Sequence, residues 1–211
     1  MTSTMNSWFA ALCSGLTLGA CAQAQAQPSR IDAPSAIDDH RSAAGRDAPS
    51  QAGKIQFGRP SAVPNGYYVM CVSHPNLCRV RGGRLATTRD GSVELTSAMM
   101  DRLNSVNGSV NATIHPAYSE EWTPERPVGD CKDFAMTKRQ RLVDSGWPTS
   151  ALPVAIVRTP AGEQHLILVA RTSQGDFVLD NLTDGIVPWN RTSYSWEKIQ
   201  STNNGMAWLS L

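Results

Sequence analysis

The sequence predicts an α+β fold, because two helical stretches are followed by three β-rich runs. Apolar residues at Leu95, Met99, Leu103, Val106 and Val110 fall at 4-4-3-4 spacing, so residues 93–110 read as a helix with one buried face. A second helix is predicted over residues 131–145, opened by Gly129-Asp130 and stopped by Gly146, with Pro148 just beyond. The β-rich runs 153–158, 164–171 and 176–182 are separated by Pro160-Ala161-Gly162 and Ser173-Gln174-Gly175, both hairpin signals, so they read as an antiparallel meander.

Polar residues 2–6 precede an apolar run at 8–20. A run of about 13 residues is too short to cross a bilayer as a helix but suits a signal-peptide core. Ala24-Gln25-Ala26 offers an A-x-A cleavage site, so residues 1–26 are expected to be a signal peptide, although no Lys or Arg stands in front of the run. Leu18-Gly19-Ala20-Cys21 also resembles a bacterial lipobox, which would end the signal before Cys21 and make that cysteine a lipid anchor. Either route implies export. Residues 27–53 are rich in Ala, Ser, Asp, Pro and Arg, and cannot bury enough surface to offset their ordering entropy; they read as a flexible linker. The globular domain is then 54–211. No other segment is apolar enough to cross a membrane, and a net charge of +1 with interspersed signs offers no basic field for nucleic acid.

Cys71, Cys78 and Cys131 survive either processing route. In an oxidising compartment Cys71 and Cys78 of CVSHPNLC are expected to pair. The rival, a zinc site using His74, lacks a fourth ligand at any nearby spacing. Cys131 is left as the odd thiol, which invites a functional explanation.

Cys131 opens the second helix, where an N-terminus favours the thiolate. On that helix Cys131, Phe134, Ala135 and Leu142 form the inward stripe, whereas Lys132, Lys138, Arg139 and Arg141 are expected to face solvent or ligand. His165 heads the run HLILVA, and Asp180 ends FVLDN. A turn near 172–174 brings Asp180 opposite His165 or within about two residues of it, close enough for carboxylate and imidazole to bond. Alternation places His165 with Ile167 and Val169, and the helix carrying Cys131 is expected to pack on that face. The three residues then fit a cysteine hydrolase: Cys131 as nucleophile, His165 as base and Asp180 as its orienter, with N–H groups at the helix start stabilising an oxyanion.

The segments Val106-Asn107 and Val110-Asn111, Glu121-Trp122-Thr123-Pro124, Gly129-Asp130-Cys131-Lys132-Asp133-Phe134-Ala135, Lys138, His165 and Leu179-Asp180-Asn181 resemble the bacterial transglutaminase-like cysteine peptidases, which include LapG-type periplasmic proteases. The resemblance covers roughly residues 57–208 and includes the paired Cys71 and Cys78. It implies a papain/transglutaminase-like core in which the Cys helix packs on an antiparallel sheet carrying His and Asp, with Cys131, His165 and Asp180 in the triad positions. It also implies a protein or peptide substrate, in the LapG-type case a cell-envelope adhesin. Where the family carries Glu after the nucleophile, this chain has Lys132. A cation beside Asp130 and Asp133 repels calcium, so neither metal nor other cofactor is expected. Two other functions fit the same residues: a transglutaminase-like amide acyl transferase, separated by product mass, and a catalytically silent binding module, which a thiol-directed probe would leave unlabelled. The Asn-x-Ser/Thr matches at Asn107, Asn111, Asn181 and Asn190 carry little weight in a bacterial chain.

Overall fold

The computed structural model describes residues 53–211; the expected signal peptide (1–26), most of the linker (27–53) and the Cys21 anchor lie outside them. In chain order the elements are β1 (Pro60–Ser61), α1 (Asn65–Ser73), α2 (Pro75–Cys78), α3 (Ser97–Thr113), β2 (His115–Pro116), β3 (Val128–Gly129) and α4 (Cys131–Asp144). There follow β4 (Val154–Arg158), β5 (Gln164–Thr172), β6 (Gly175–Leu179), β7 (Val187–Pro188), β8 (Ser195–Gln200) and β9 (Trp208–Ser210). Seven strands form one sheet in the order β1-β9-β8-β4-β5-β6-β7, and every pairing in it is antiparallel. The α+β expectation and the β4-β5-β6 meander hold. No strand was expected within 183–211, yet β8 returns to pair with the free side of β4, which becomes a central strand.

Central strands have two covered faces, which explains their continuous apolar runs. Leu166, Leu168 and Ala170 of β5, with Val154 and Ile156 of β4, pack against Phe134, Met136 and Leu142 of α4, and Leu103, Val106 and Val110 of α3 extend that cluster. Ile167 and Val169 face the other way, toward Ala155, Val157, Val178, Ile199 and Ile55, with Phe57, Tyr194 and Trp196 along the margin. This corrects one expectation. The helix led by Cys131 packs on the Leu166/Leu168 face, not on the face that His165 shares with Ile167.

Helix limits follow local hydrogen bonding. α3 starts at Ser97 rather than near 93, because the Val93 N–H and C=O are taken by Arg171 and Ser173 beside β5. Thr96 then caps the helix by accepting from Met99 N at 3.3 Å. α4 ends as expected, with Gly146 at φ +109°, a left-handed conformation that suits glycine. β6 stops at Leu179 instead of 182, and the chain leaves the sheet at Asp180.

Lys138 and Arg139 were expected to face solvent or ligand, and both are buried, because α4 is covered by the sheet on one side and α3 on another. Arg139 donates from Nη1 to Gln200 Oε1 at 2.6 Å, and Gln200 donates to Gly205 O at 2.8 Å and to the Tyr67 hydroxyl, so one polar network ties α4, β8 and α1. Cys71 and Cys78 are disulfide-bonded and join α1 to α2. Closing so short a loop contributes about 2–3 kcal/mol on the loop-entropy account.

Candidate active site

The start of α4 is fixed by a reciprocal cap. Asp130 Oδ1 accepts from Lys132 N at 3.1 Å, and Asp133 Oδ2 accepts from Asp130 N at 2.9 Å. Asp133 is wholly buried, and its other oxygen accepts from Thr123 N at 2.9 Å, which draws the segment around Trp122 against the helix. A Cβ on Gly129 would come 2.4 Å from Asp133 Oδ2, so the glycine is what allows the backbone so close. Cys131, the first residue of this anchored helix, is the free cysteine among the described residues and is half-buried. It opens into a cleft of about 120 Å³, walled by Trp122, Ile156 and Leu166 and rimmed by Lys132, Gln164 and His165.

His165 lies across that cleft and Asp180 behind it. β5 and β6 pair only as far as Leu168↔Leu179, so the imidazole, three residues beyond, has no β6 residue opposite it and reaches both neighbours. Its Nε2 lies 2.8 Å from Asp180 Oδ1. The ring also feels the Cys131 side chain, which helps to raise its pKa. With Nε2 engaged, Nδ1 is the nitrogen left for sulfur. Asp180 is buried; its Oδ1 also accepts from Leu182 N at 3.0 Å, and its Oδ2 accepts from the Tyr194 hydroxyl. Burial would raise the Asp180 pKa, but the bonds from His165 and Tyr194 outweigh it and hold the carboxylate below its ordinary range. Burial opposes charge on His165 as well, yet Asp180 and Cys131 together raise the imidazole to about 9.

A folded pKa of about 9, against about 6.5 unfolded, means that the stability His165 contributes is complete below about 6.5 and is lost as pH rises through 9. Proton NMR of the imidazole is expected to show its titration near pH 9. A midpoint near 6.5 would refute the charged pairing with Asp180 and Cys131.

The structure therefore brings together the three residues singled out from the sequence, with three neighbours to which the sequence reading gave no role. Tyr194 comes from beyond the last predicted strand. Asn111 of α3 donates from Nδ2 to Asp180 O at 2.9 Å and to Asp184 Oδ1 at 2.8 Å, while Asn107 donates to Thr183 O and Asp184 O at 3.1 and 3.0 Å. Both amides hold the loop that presents Asp180. The four-residue spacing of the two asparagines on one helix face was the available signal. Lys138 sits beneath the same loop, its ammonium 5.9 Å from the Phe134 ring centre. Burial lowers its pKa to about 7, against the pull of Asp180 and Asp184.

The family described as "bacterial transglutaminase-like cysteine proteinase" matches residues 57–211. None of the curated proteins matches the chain. Among solved structures the chain is similar to Legionella pneumophila LapG in its calcium-bound form (21% identity over 53% of this chain and 68% of that chain, TM-score 0.47). It is similar too to the EGTA-treated form (20%, 54% and 68%, TM-score 0.45) and to a third LapG structure (22%, 52% and 68%, TM-score 0.46).

The expectation of no cofactor, with calcium disfavoured by Lys132, is corrected: these similar LapG structures are described as calcium-bound and EGTA-treated. Nor does Lys132 stand as a free cation beside the carboxylates. Lys132 Nζ lies on Asp130 Oδ2 as an ion pair and leans toward the Tyr118 ring at 6.0 Å, so its charge is largely cancelled rather than aimed at an incoming cation. The oxygens beside Cys131 are nonetheless already engaged: Asp133 holds two backbone N–H groups, and Asp130 Oδ2 holds Ser119 N at 3.3 Å as well as Lys132. A hard cation needs several oxygen ligands, and here it would have to take Asp130 from Lys132.

Proposed function

The chain belongs to the bacterial transglutaminase-like cysteine proteinases, and on that premise we propose that Cys131, His165 and Asp180 hydrolyse a peptide bond through a thioester. The observation that supports this most directly is the 2.8 Å contact between His165 Nε2 and Asp180 Oδ1, which leaves Nδ1 for the thiol at the start of α4.

The chemistry follows from the charges. With its pKa near 9 the His165 imidazole is cationic at neutral pH, and the thiolate, the nucleophilic form of cysteine, is the form that attacks. Cys131 Sγ attacks the peptide carbonyl carbon, and the carbonyl electrons move to oxygen. The Cys131 N–H, which the cap does not use, stands at the helix start as an oxyanion donor. As the intermediate collapses the C–N bond breaks, and the imidazolium gives its proton to the departing amine. Water then loses a proton to the neutral imidazole and attacks the thioester, releasing the acid and restoring the thiolate. Asp180 keeps a proton on Nε2 throughout, so that Nδ1 alone exchanges with sulfur and substrate.

A cysteine peptidase acts on protein or peptide. The leader-like residues 1–26 and the Cys71–Cys78 disulfide support an exported, periplasmic enzyme, with Cys21 as the alternative lipid anchor and a cell-envelope protein as substrate. No helix among the described residues is long and apolar enough to cross a membrane. Mass spectrometry tests the chemistry. Incubation with an activated peptide ester is expected to leave an acyl group on the Cys131 peptide that decays to free acid. Products carrying an added amine would instead favour acyl transfer, and no acyl group on Cys131 would end the proposal.

A further inference from the structure

We propose that the groove between α1 and residues 120–123 seats the substrate polypeptide beside the nucleophile, taking an apolar side chain with a basic residue next to it; this rests on the peptidase reading above. The outer face of α1 is inverted for a surface helix. Tyr68, Val69 and Val72 are 57%, 61% and 71% exposed, where polar residues ordinarily stand. Val69 lines a groove of about 430 Å³ together with Gly66, Met70, Glu120, Glu121 and Trp122, a volume in the range of peptide and small-molecule sites. A Cβ on Gly66 would come 2.6 Å from Trp122 Nε1, so α1 lies this close to the indole because residue 66 lacks a side chain.

Trp122 is the link. The same indole walls the cleft at Cys131, so the groove and the reacting centre adjoin across one side chain. A larger cavity of about 630 Å³ beside the disulfide shares no lining residue with that cleft. Charge then selects the occupant. Glu120 and Glu121 stand on the groove wall with His74, Ser73 and Thr123, and Glu121 has only a loose pairing with Arg126 at 3.8 Å, so the groove sets two carboxylates beside the apolar Val69, Met70 and Trp122. An extended segment with one apolar and one basic side chain satisfies both, whereas an acidic segment is repelled.

The test is cleavage of a proteome-derived peptide library by the full chain, with sites read by mass spectrometry and Cys131 alkylation by iodoacetamide as a separate measure of the thiol. Cut sites are expected to carry an apolar residue with Lys or Arg within about three positions, the reach of an extended chain across the groove. Val69→Asp should lower kcat/KM on those peptides about tenfold or more, through KM. Glu120→Lys with Glu121→Lys should turn the preference from basic to acidic neighbours. Alkylation of Cys131 keeps its native rate in both variants. Unchanged preference and KM would overturn the groove. So would substitutions that alter only self-association in sedimentation, because the face would then belong to a second copy. A native chain that cuts no peptide and whose Cys131 alkylates no faster than free cysteine brings down the peptidase reading and the groove with it; normal alkylation without any preference condemns the groove alone.

Discussion

Cys131→Ala is expected to abolish hydrolysis, with turnover falling by about 10⁴-fold or more, the scale seen when a covalent nucleophile is removed. The fold should survive. Alanine is the best helix former, the side chain is only half-buried, and the cap that starts α4 is made by Asp130 and Asp133 rather than by sulfur. Thermal unfolding should therefore stay within about 1 kcal/mol of the native chain. The substitution also has a spectroscopic signature. His165 loses the upward push of the thiolate and keeps that of Asp180, so its titration should move below about 9. Native-level turnover by a folded Cys131→Ala chain would end the proposed mechanism.

Asp180→Asn should cost about 10³ to 10⁴ in kcat with little change in KM. The isosteric amide preserves volume in a buried position but removes the charge that holds His165 protonated. The amide oxygen takes the Oδ2 place and keeps the bond from the Tyr194 hydroxyl, while the Leu182 N–H, which shares Oδ1 with His165, loses its acceptor. The amide NH₂ then faces Nε2, and the neutral ring must carry its proton on Nδ1, where it should accept from sulfur. The loss should be accompanied by a fall in the imidazole pKa toward or below 6.5. A loss under tenfold with an unchanged titration would show that Asp180 is a packing carboxylate.

Much of the site was legible because its parts are local. Gly129-Asp130-Cys131 announces a helix start by spacing alone, and the turn at Ser173–Gly175 fixes the β5–β6 register within two residues. That register puts Asp180 across from Ile167 rather than His165, a diagonal that a carboxylate can span. The side of the sheet that α4 covers was not legible. Both faces of β4 and β5 are apolar, so alternation separates them without saying which one a helix takes. Charge misled in the same way. Lys138 and Arg139 read as surface residues by type, and Lys132 as a lone cation, although the first two are enclosed and the third is paired with Asp130.

By itself the sequence determined α3, α4 and the β4–β6 meander, the capped helix start with its thiol and the chain order of thiol, imidazole and carboxylate, since each depends on contacts within a few residues or across one tight turn. Only the tertiary structure decided which face of the sheet carries the helix, where β8 inserts, how Tyr194, Asn107 and Asn111 grip Asp180 and its loop, and how Gly66 lets α1 meet Trp122. Those are contacts between segments tens of residues apart. Their partners are selected by shape and by the need to satisfy buried polar groups, and neither is written in the local pattern of one segment.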